Sequence, residues 1–563
     1  MEWIEAKILL KNLLSRIEIK EDGCKQLTGV LTDDELVALQ TAVEVLEKTP
    51  AGSGSATKTK PHTPQKAILS PPDKISPQIE LDMSVQSIPE PPNNVRLCLD
   101  FGTAMSKATL IQDNDNARSE EIHVLRLGVP GDQEEVSEVM LISSVYIDDE
   151  GRLWFGKQAV DRSMVEGGDG SRQRLDNIKR RLSEEGWDEQ VGSSFNPTDV
   201  PITQGDMVLA YMMYLTWAVN HCIQDLQFPR NLLRRFAMPC LAGEKGRETV
   251  HRLKKLVGEA QILADTFNSR IKNGIPLSEF LAATHELRKE QQAYAYIAED
   301  ITEPLGVAGS MISWKTEVYM LFMVVDVGAG TSDFSLYRIN IDPVEGKNVA
   351  IEVDGSSRGI TEAGNHLDRI LIELIIKKSG ITSDDAMWVN VRSALELQIR
   401  DLKETLFNDQ FVYVSLINGK DVEIELDEFL QLDAVCDFGE NLKATMVDIL
   451  GSLDPSWVGW VIADPTRRLV VALTGGGSEL PMVKGLAEGE IRVNGLSVPV
   501  ARALPFPSWL LEIDENLEAD YPRVAVSLGG ARKRLIQRGD AARITAGDVT
   551  ETAELGGYYT KGR

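Results

Sequence analysis

Two short stretches of the chain place carboxylates beside glycine turns. In "LCLDFGTAMSKATLI" an apolar strand ends at Asp100 and turns through Gly102, Thr103 and Ala104 into a second strand. In "FMVVDVGAGTSDFSLY" the same plan runs from Asp326 through Gly328, Ala329, Gly330 and Thr331 to a second acid, Asp333. Glycine lets the backbone approach a ligand closely and take positive φ. Successive turn amides form an anion-binding concavity, and threonine hydroxyls add donors without bulk. A carboxylate beside a phosphate is repulsive unless a cation stands between them. Mg²⁺ with its water shell fills that role, holding few carboxylates plus phosphate oxygens. The pattern points to a metal bridging to phosphate, with Asp100 and Asp326 orienting the metal. The same residues also fit tight hairpins whose aspartates cap their own turns.

A third element, "VVALTGGGSELP", sets Gly475, Gly476 and Gly477 after a buried strand and before a helix. A nucleoside could lie against such bare backbone, although an ordinary strand–helix turn reads the same way. "GSSRG" (355–359) fits the hydrolase pattern Gly-x-Ser-x-Gly with Ser357 as nucleophile, but that elbow needs a helix at once, and "RGIT" delays it. No Walker A sequence occurs; "GRLWFGKQ" has Gln158 where the metal-binding hydroxyl belongs. The six histidines show no metal-ligand spacing.

These turns need a scaffold. Between 95 and 538 strand and helix patterns alternate, which predicts an α/β class. Helices are expected at 208–226, 248–260 and 366–380. The two hairpins, alike in plan and far apart in the chain, suggest two similarly built halves facing across a cleft. Residues 1–48 read as a small helical unit, with a capping box at Thr32–Glu35 followed by Leu36, Leu39, Val43 and Leu46. Residues 49–94 read as a Pro/Ser/Lys-rich flexible linker, and 539–563 as a tail. The 563 residues carry 59 basic and 86 acidic side chains, a net charge of −27. That balance argues against duplex nucleic acid or an anionic membrane as a main partner. The five cysteines lack any CxxC spacing. No signal-peptide core or membrane-length apolar run is present, so the expected location is cytoplasmic.

In this order the three elements resemble the actin/heat-shock/sugar-kinase ATPase superfamily, and most of all the ATPase domain of the DnaK-type heat-shock protein 70 family. The resemblance covers 95–538. It implies a two-lobed actin-like ATPase fold, with duplicated ribonuclease H-like halves around a nucleotide cleft. It implies ATP/ADP and Mg²⁺ as cofactors, two phosphate loops (Asp100–Thr103 and Asp326–Asp333) and an adenosine loop (Gly475–Pro481), with Ala104 and Gly475, Gly476 and Gly477 at the nucleotide. "RLDNIKRRL" resembles the helix with the family's catalytic lysine, which makes it Lys179. "DITEPLGVAGSMI" is similar to the Glu-Pro motif, placing Glu303 near the attacking water. "GITEAGNHLDRILIELI" resembles a glycine helix start with Ala363 in the first glycine's place and Gly364 at the nucleotide, and "RDLKETLF" resembles the adenine helix, with Lys403 at the family's lysine and Phe407 replacing a small residue where it could stack on the base. Read as residues alone, Lys179 beside Arg180 and Arg181 also fits a solvated basic face, and Glu303 before Pro304 also fits a plain helix first turn.

Departures are visible. Ala104 removes a hydroxyl, Ala329 replaces a loop glycine, and Glu404 and Glu479 stand where the family has arginine. The stretch 264–299 has no family counterpart and reads as a helical insertion. After 538 only the short tail remains, so the family's peptide-binding domain is not expected. The implied function is slow Mg-dependent ATP hydrolysis in a chaperone-like conformational switch, read by a protein partner through residues 1–48 or 264–299. The alternatives are a nucleotide sensor or scaffold without turnover, an actin-like filament former, and a small-molecule kinase.

Overall fold

The computed structural model describes residues 17–19, 25–27, 79–89, 92–114, 119–128, 138–182, 186–241, 243–289 and 293–541. The chain divides into one unit of Met1–Lys74 and another of Ile75–Arg563. In the first, Ile17–Ile19 pairs antiparallel with Lys25–Leu27. The sequence reading made residues 1–48 helical; the part of it described is a β-hairpin. Ile-Glu-Ile alternates at the strand period. The helix expected after Thr32 lies outside the described residues.

In the second unit, an α/β structure, two sheets share one strand plan. In the first sheet Val95–Asp100, Met105–Asn114 and Ser119–Val124 form an antiparallel meander. Arg234–Met238 and then Ile297–Thr302 add in parallel on the free side of Val95–Asp100. In the second sheet Val318–Val327, Ser332–Asp342 and Lys347–Val353 form the meander. Leu469–Thr474 and then Leu496–Arg502 add in parallel beside Val318–Val327. The leading strand of each sheet is covered on both faces, which its unbroken apolar run dictates: Val95–Asp100 and residues 321–327 are buried throughout.

Helix Gln204–Asp225 covers the first sheet. A reciprocal capping box opens it: the Asp206 amide donates to Thr203 Oγ1, and the Thr203 amide to Asp206 Oδ2. Helix Gly364–Ser379 covers the second sheet and stops at Gly380, whose φ is +67°. A third core lies between the sheets and includes Ile301, Leu305, Phe322, Val324, Ala525 and Leu528. Here helices Glu303–Met311 and Tyr521–Ala531 cross on bare backbone. A Cβ on Gly529 would lie 1.8 Å from the Gly306 carbonyl oxygen, so nothing larger than glycine fits.

Three boundaries read from the sequence change. Residues 79–89, assigned to the linker, pack on the first core, where Val85 is 1% exposed. The Asp82 amide donates to Thr266 Oγ1, and Asn231 donates to the Pro89 carbonyl. The rest of the linker before Ile79 lies outside the described residues. The tail starts later than 539, because Gln537–Ala541 is a strand paired parallel with Lys347–Val353; residues 542–563 lie outside the described ones. The stretch 264–299 is no appended insertion. It contains helix Leu277–Leu287, whose Leu277, Phe280, Ala283 and Leu287 are buried in the first core.

Phe280→Ala should therefore cost about 3–5 kcal/mol of folding stability, measured by urea unfolding. A loss under about 0.5 kcal/mol, as at a surface position, would show that the segment is dispensable to the fold.

Candidate functional site

The two glycine turns sit at corresponding ends of the two leading strands, and they touch. A Cβ on Gly330 would lie 2.7 Å from Thr103 Oγ1, so the second turn can rest on the first only without a side chain there. Gly102 is held as tightly: its Cβ would lie 1.9 Å from the Met105 carbonyl oxygen. Ser143 fastens this turn, its hydroxyl donating to the Gly102 carbonyl and its amide to the Ala104 carbonyl. In the second turn the Gly328 amide donates to the Thr331 carbonyl at 2.9 Å. Helix Gly364–Ser379 starts against this turn, with the Gly364 amide donating to the Gly328 carbonyl and the Asn365 amide to that of Ala329.

The glycine loop after Leu469–Thr474 closes over the same place. Gly475 has φ +82°, and a Cβ on it would lie 2.5 Å from Asp326 Oδ1 and 2.4 Å from the Val327 carbonyl oxygen. The Gly477 amide donates to that carbonyl. Three sequence elements far apart in the chain thus converge on Asp326.

The charges are concentrated and poorly hydrated. Asp326 and Asp333 face each other in register across their hairpin and are 6% and 0% exposed. Burial pushes the Asp326 carboxyl up to about 7, with the charges of Asp333 and Asp100 adding to it. Burial also raises Asp333, opposed by the Cys240 amide, which donates to its Oδ1 at 2.6 Å. Lys179 forms an ion pair with Glu303. Burial lowers the Lys179 pKa, against the pull of Asp100, Asp333 and Asp326. Glu303 is the first residue of helix Glu303–Met311 and is buried.

Lys179 is 6% exposed, which removes the solvated-face alternative for it. Its element is a 3-10 turn, Ile178–Leu182, and not the expected helix; Asn177 just before it has φ +59°. Lys403 pairs with Asp368 at 2.6 Å and donates to the Gly364 carbonyl, so it lies beside the second turn. Phe407 packs edge-on against Phe429, ring centroids 6.2 Å apart, with the second core. Its half-buried ring is engaged in packing. Glu479 is outward, paired with Lys484 and Arg502. Ser357 is no nucleophile elbow. Its φ is not positive, and its hydroxyl donates to Cys240 Sγ on the rim of a cavity of about 590 Å³.

Sequence reasoning missed Lys107. It stands opposite Asp100 in the first hairpin, Nζ 3.4 Å from Asp100 Oδ2. Only strand register exposes that pairing. Among the described residues no three or more His, Cys, Asp and Glu side chains form a ready metal cage. Mg²⁺ does not need one, since it keeps waters and takes one or two carboxylates plus phosphate oxygens. Asp326 is underneutralised, and burial raises Asp333 despite hydrogen bonds from the Cys240 amide and the Thr331 hydroxyl; a cation fits this surplus of buried negative charge. Among the described residues no helix is long and apolar enough to cross a membrane.

A raised carboxyl pKa means that the folded protein holds this proton more tightly than the unfolded chain. That stabilisation is complete below the ordinary carboxylate range and is lost as pH rises through about 7. Asp326→Asn should therefore raise the urea midpoint at pH 8, and the gain should shrink at pH 5. An equal shift at both pH values would count against a buried, underneutralised carboxylate.

The chain matches no protein-family model, and no curated protein matches it.

Proposed function

We propose that this chain binds ATP, hydrolyses it slowly with Mg²⁺, and acts as a chaperone-like conformational switch for a protein partner. The observation that carries this reading is the contact of the two glycine turns around one group of buried charges: Asp100, Asp326, Asp333, Lys179 and Glu303. We read the scaffold as the two-lobed actin-like ATPase fold. Support comes from the shared strand order of the two sheets and from the three glycine elements converging where the cleft of such a fold would be.

In this reading the amides of Gly102–Ala104 and Gly328–Thr331 cradle the β- and γ-phosphates. Asp100 and Asp326 orient the waters of the metal. Bound Mg²⁺ supplies the positive charge that lets carboxylates and phosphates share one site. Lys179 counters charge developing on the γ-phosphate, a matter of positioning and electrostatics. Glu303, with Thr331 or Asp333, places the attacking water. Lys403, Gly364 and Gly475–Gly477 form the nucleoside side.

The two halves also meet away from this site. Arg174 donates to the Leu397 carbonyl at 3.0 Å, and Asn390 to that of Asp169. Opening of the cleft would break these contacts and provide the output of the switch. Because 264–299 is largely built into the first core, we assign the partner to residues 1–48.

A phosphate-release assay with Mg-ATP tests the reading. Lys179→Ala and Asp326→Ala should each lower turnover by about 100-fold or more while the proteins stay folded. ATP binding without phosphate release in the wild type would favour the nucleotide-sensor alternative. Absence of any nucleotide binding would overturn the proposal.

A further inference from the structure

We propose that Ser84 is a phosphorylation site and that Arg230 receives its phosphate. The inference stands apart from the nucleotide reading and uses none of its residues. Ser84 is exposed and opens the 3-10 turn Ser84–Ser87, whose only buried residue is Val85. Lifting such a turn into a modifying enzyme uncovers little of the core. The reaction takes a protein kinase and a nucleoside triphosphate. The γ-phosphorus gains a bond to Ser84 Oγ and loses its bond to the oxygen bridging to the β-phosphate. The hydroxyl proton passes to a basic group of the kinase, and the nucleoside diphosphate leaves.

The hydroxyl already sits against a cation. Arg230 Nη2 donates to Ser84 Oγ at 3.0 Å, and its Nη1 lies 2.6 Å from Asp265 Oδ1. The arginine side chain is 32% exposed and that of Asp265 only 3%, so one end of this pair is open to an incoming dianion and the other is closed. A serine phosphate carries close to two negative charges at neutral pH and three strong acceptor oxygens. It suits the planar fork of a guanidinium and draws Arg230 from Asp265. A second cation stands ready for the acid. Arg234 is 0% exposed, and its Nε and Nη1 have no hydrogen-bond partner among the described residues. Its charge already favours the ionised form of Asp265. One arginine can thus replace the other at the buried carboxylate. Asp82 acts in the opposite direction: it accepts from the Ser84 amide at 2.9 Å, and its charge repels a phosphate. The phosphate therefore depends on Arg230 for its hold, and the exchange fastens residues 79–89 to the first core.

Two measurements test this. Phosphopeptide mapping of the full chain isolated from its own organism should find phosphate on Ser84; its absence from growing, starved and heat-stressed cells would overturn the assignment. The full chain with genetically encoded phosphoserine at position 84 is compared with the unmodified chain by hydrogen exchange. The Asp82 and Ile88 amides, which donate to Thr266 Oγ1 and the Val85 carbonyl, should exchange about tenfold more slowly with the phosphate in place. In an Arg230→Gln background the phosphate should bring no such slowing. Unchanged or faster exchange in the phosphorylated chain, or slowing that survives Arg230→Gln, would overturn the role of Arg230.

Discussion

The rest of the structure depends on a shortage of positive charge in a place shut off from water. Asp326 and Asp333 face each other across one hairpin, Asp100 and Glu303 approach them, and Lys107 and Lys179 balance only part of the charge. Removing an ion from water costs several kcal/mol even after the protein relaxes. Such a group survives only where the surrounding framework leaves its members no other position. The framework here is two central strands, buried on both faces, whose ends carry the acids. On the proposed reading, the unfavourable charge is what a metal and a triphosphate arriving together would relieve.

The turns make the site possible by what they lack. Thr103 lies where Gly330 has no side chain, and Asp326 Oδ1 lies where Gly475 has none. Each missing Cβ lets a side chain distant in the chain rest against bare backbone. The start of helix Gly364–Ser379 is then held against the second turn by two amide hydrogen bonds. Chemistry and architecture are therefore difficult to separate here, since Gly330, which would admit a ligand, is also where the hairpins of the two sheets meet.

Much of this was legible in the residues. The unbroken apolar run before Asp326, and the small polar turn after it, dictate a buried hairpin with an acid on each side. The repeat of that plan at Asp100 suggested the matching halves, and the two sheets share a strand order. What stayed hidden depends on partners distant in sequence. Resemblance alone places Lys179 in the site, since its arginine neighbours fit a solvated face equally; its burial and its pairing with Glu303 come from another element of the chain. Lys107 occupies an alternating strand position that reads as polar, and its value lies entirely in the register that sets it opposite Asp100. Proline and serine masked the alternation of Ile79, Leu81, Met83 and Val85, which packs on the first core. The absence of a family counterpart made 264–299 read as an insertion, although Leu277, Phe280 and Leu287 carry a helical core spacing.

The crossing of helices Glu303–Met311 and Tyr521–Ala531 has a mechanical side. Most helix pairs interlock, the side-chain ridges of one seated in the grooves of the other. At Gly306 and Gly529 peptide rests on peptide, and the Ser310–Tyr521 hydroxyl pair and the Arg532 bond to the Gly309 carbonyl lock the two helices at that point. Glu303 is three residues, or about 4.5 Å of helix rise, from this crossing, which therefore sets the height of its carboxylate. A contact of this kind has less clearance than the width of a methyl group, and a single alanine in it would push the helices apart and displace the acid at the end of one of them.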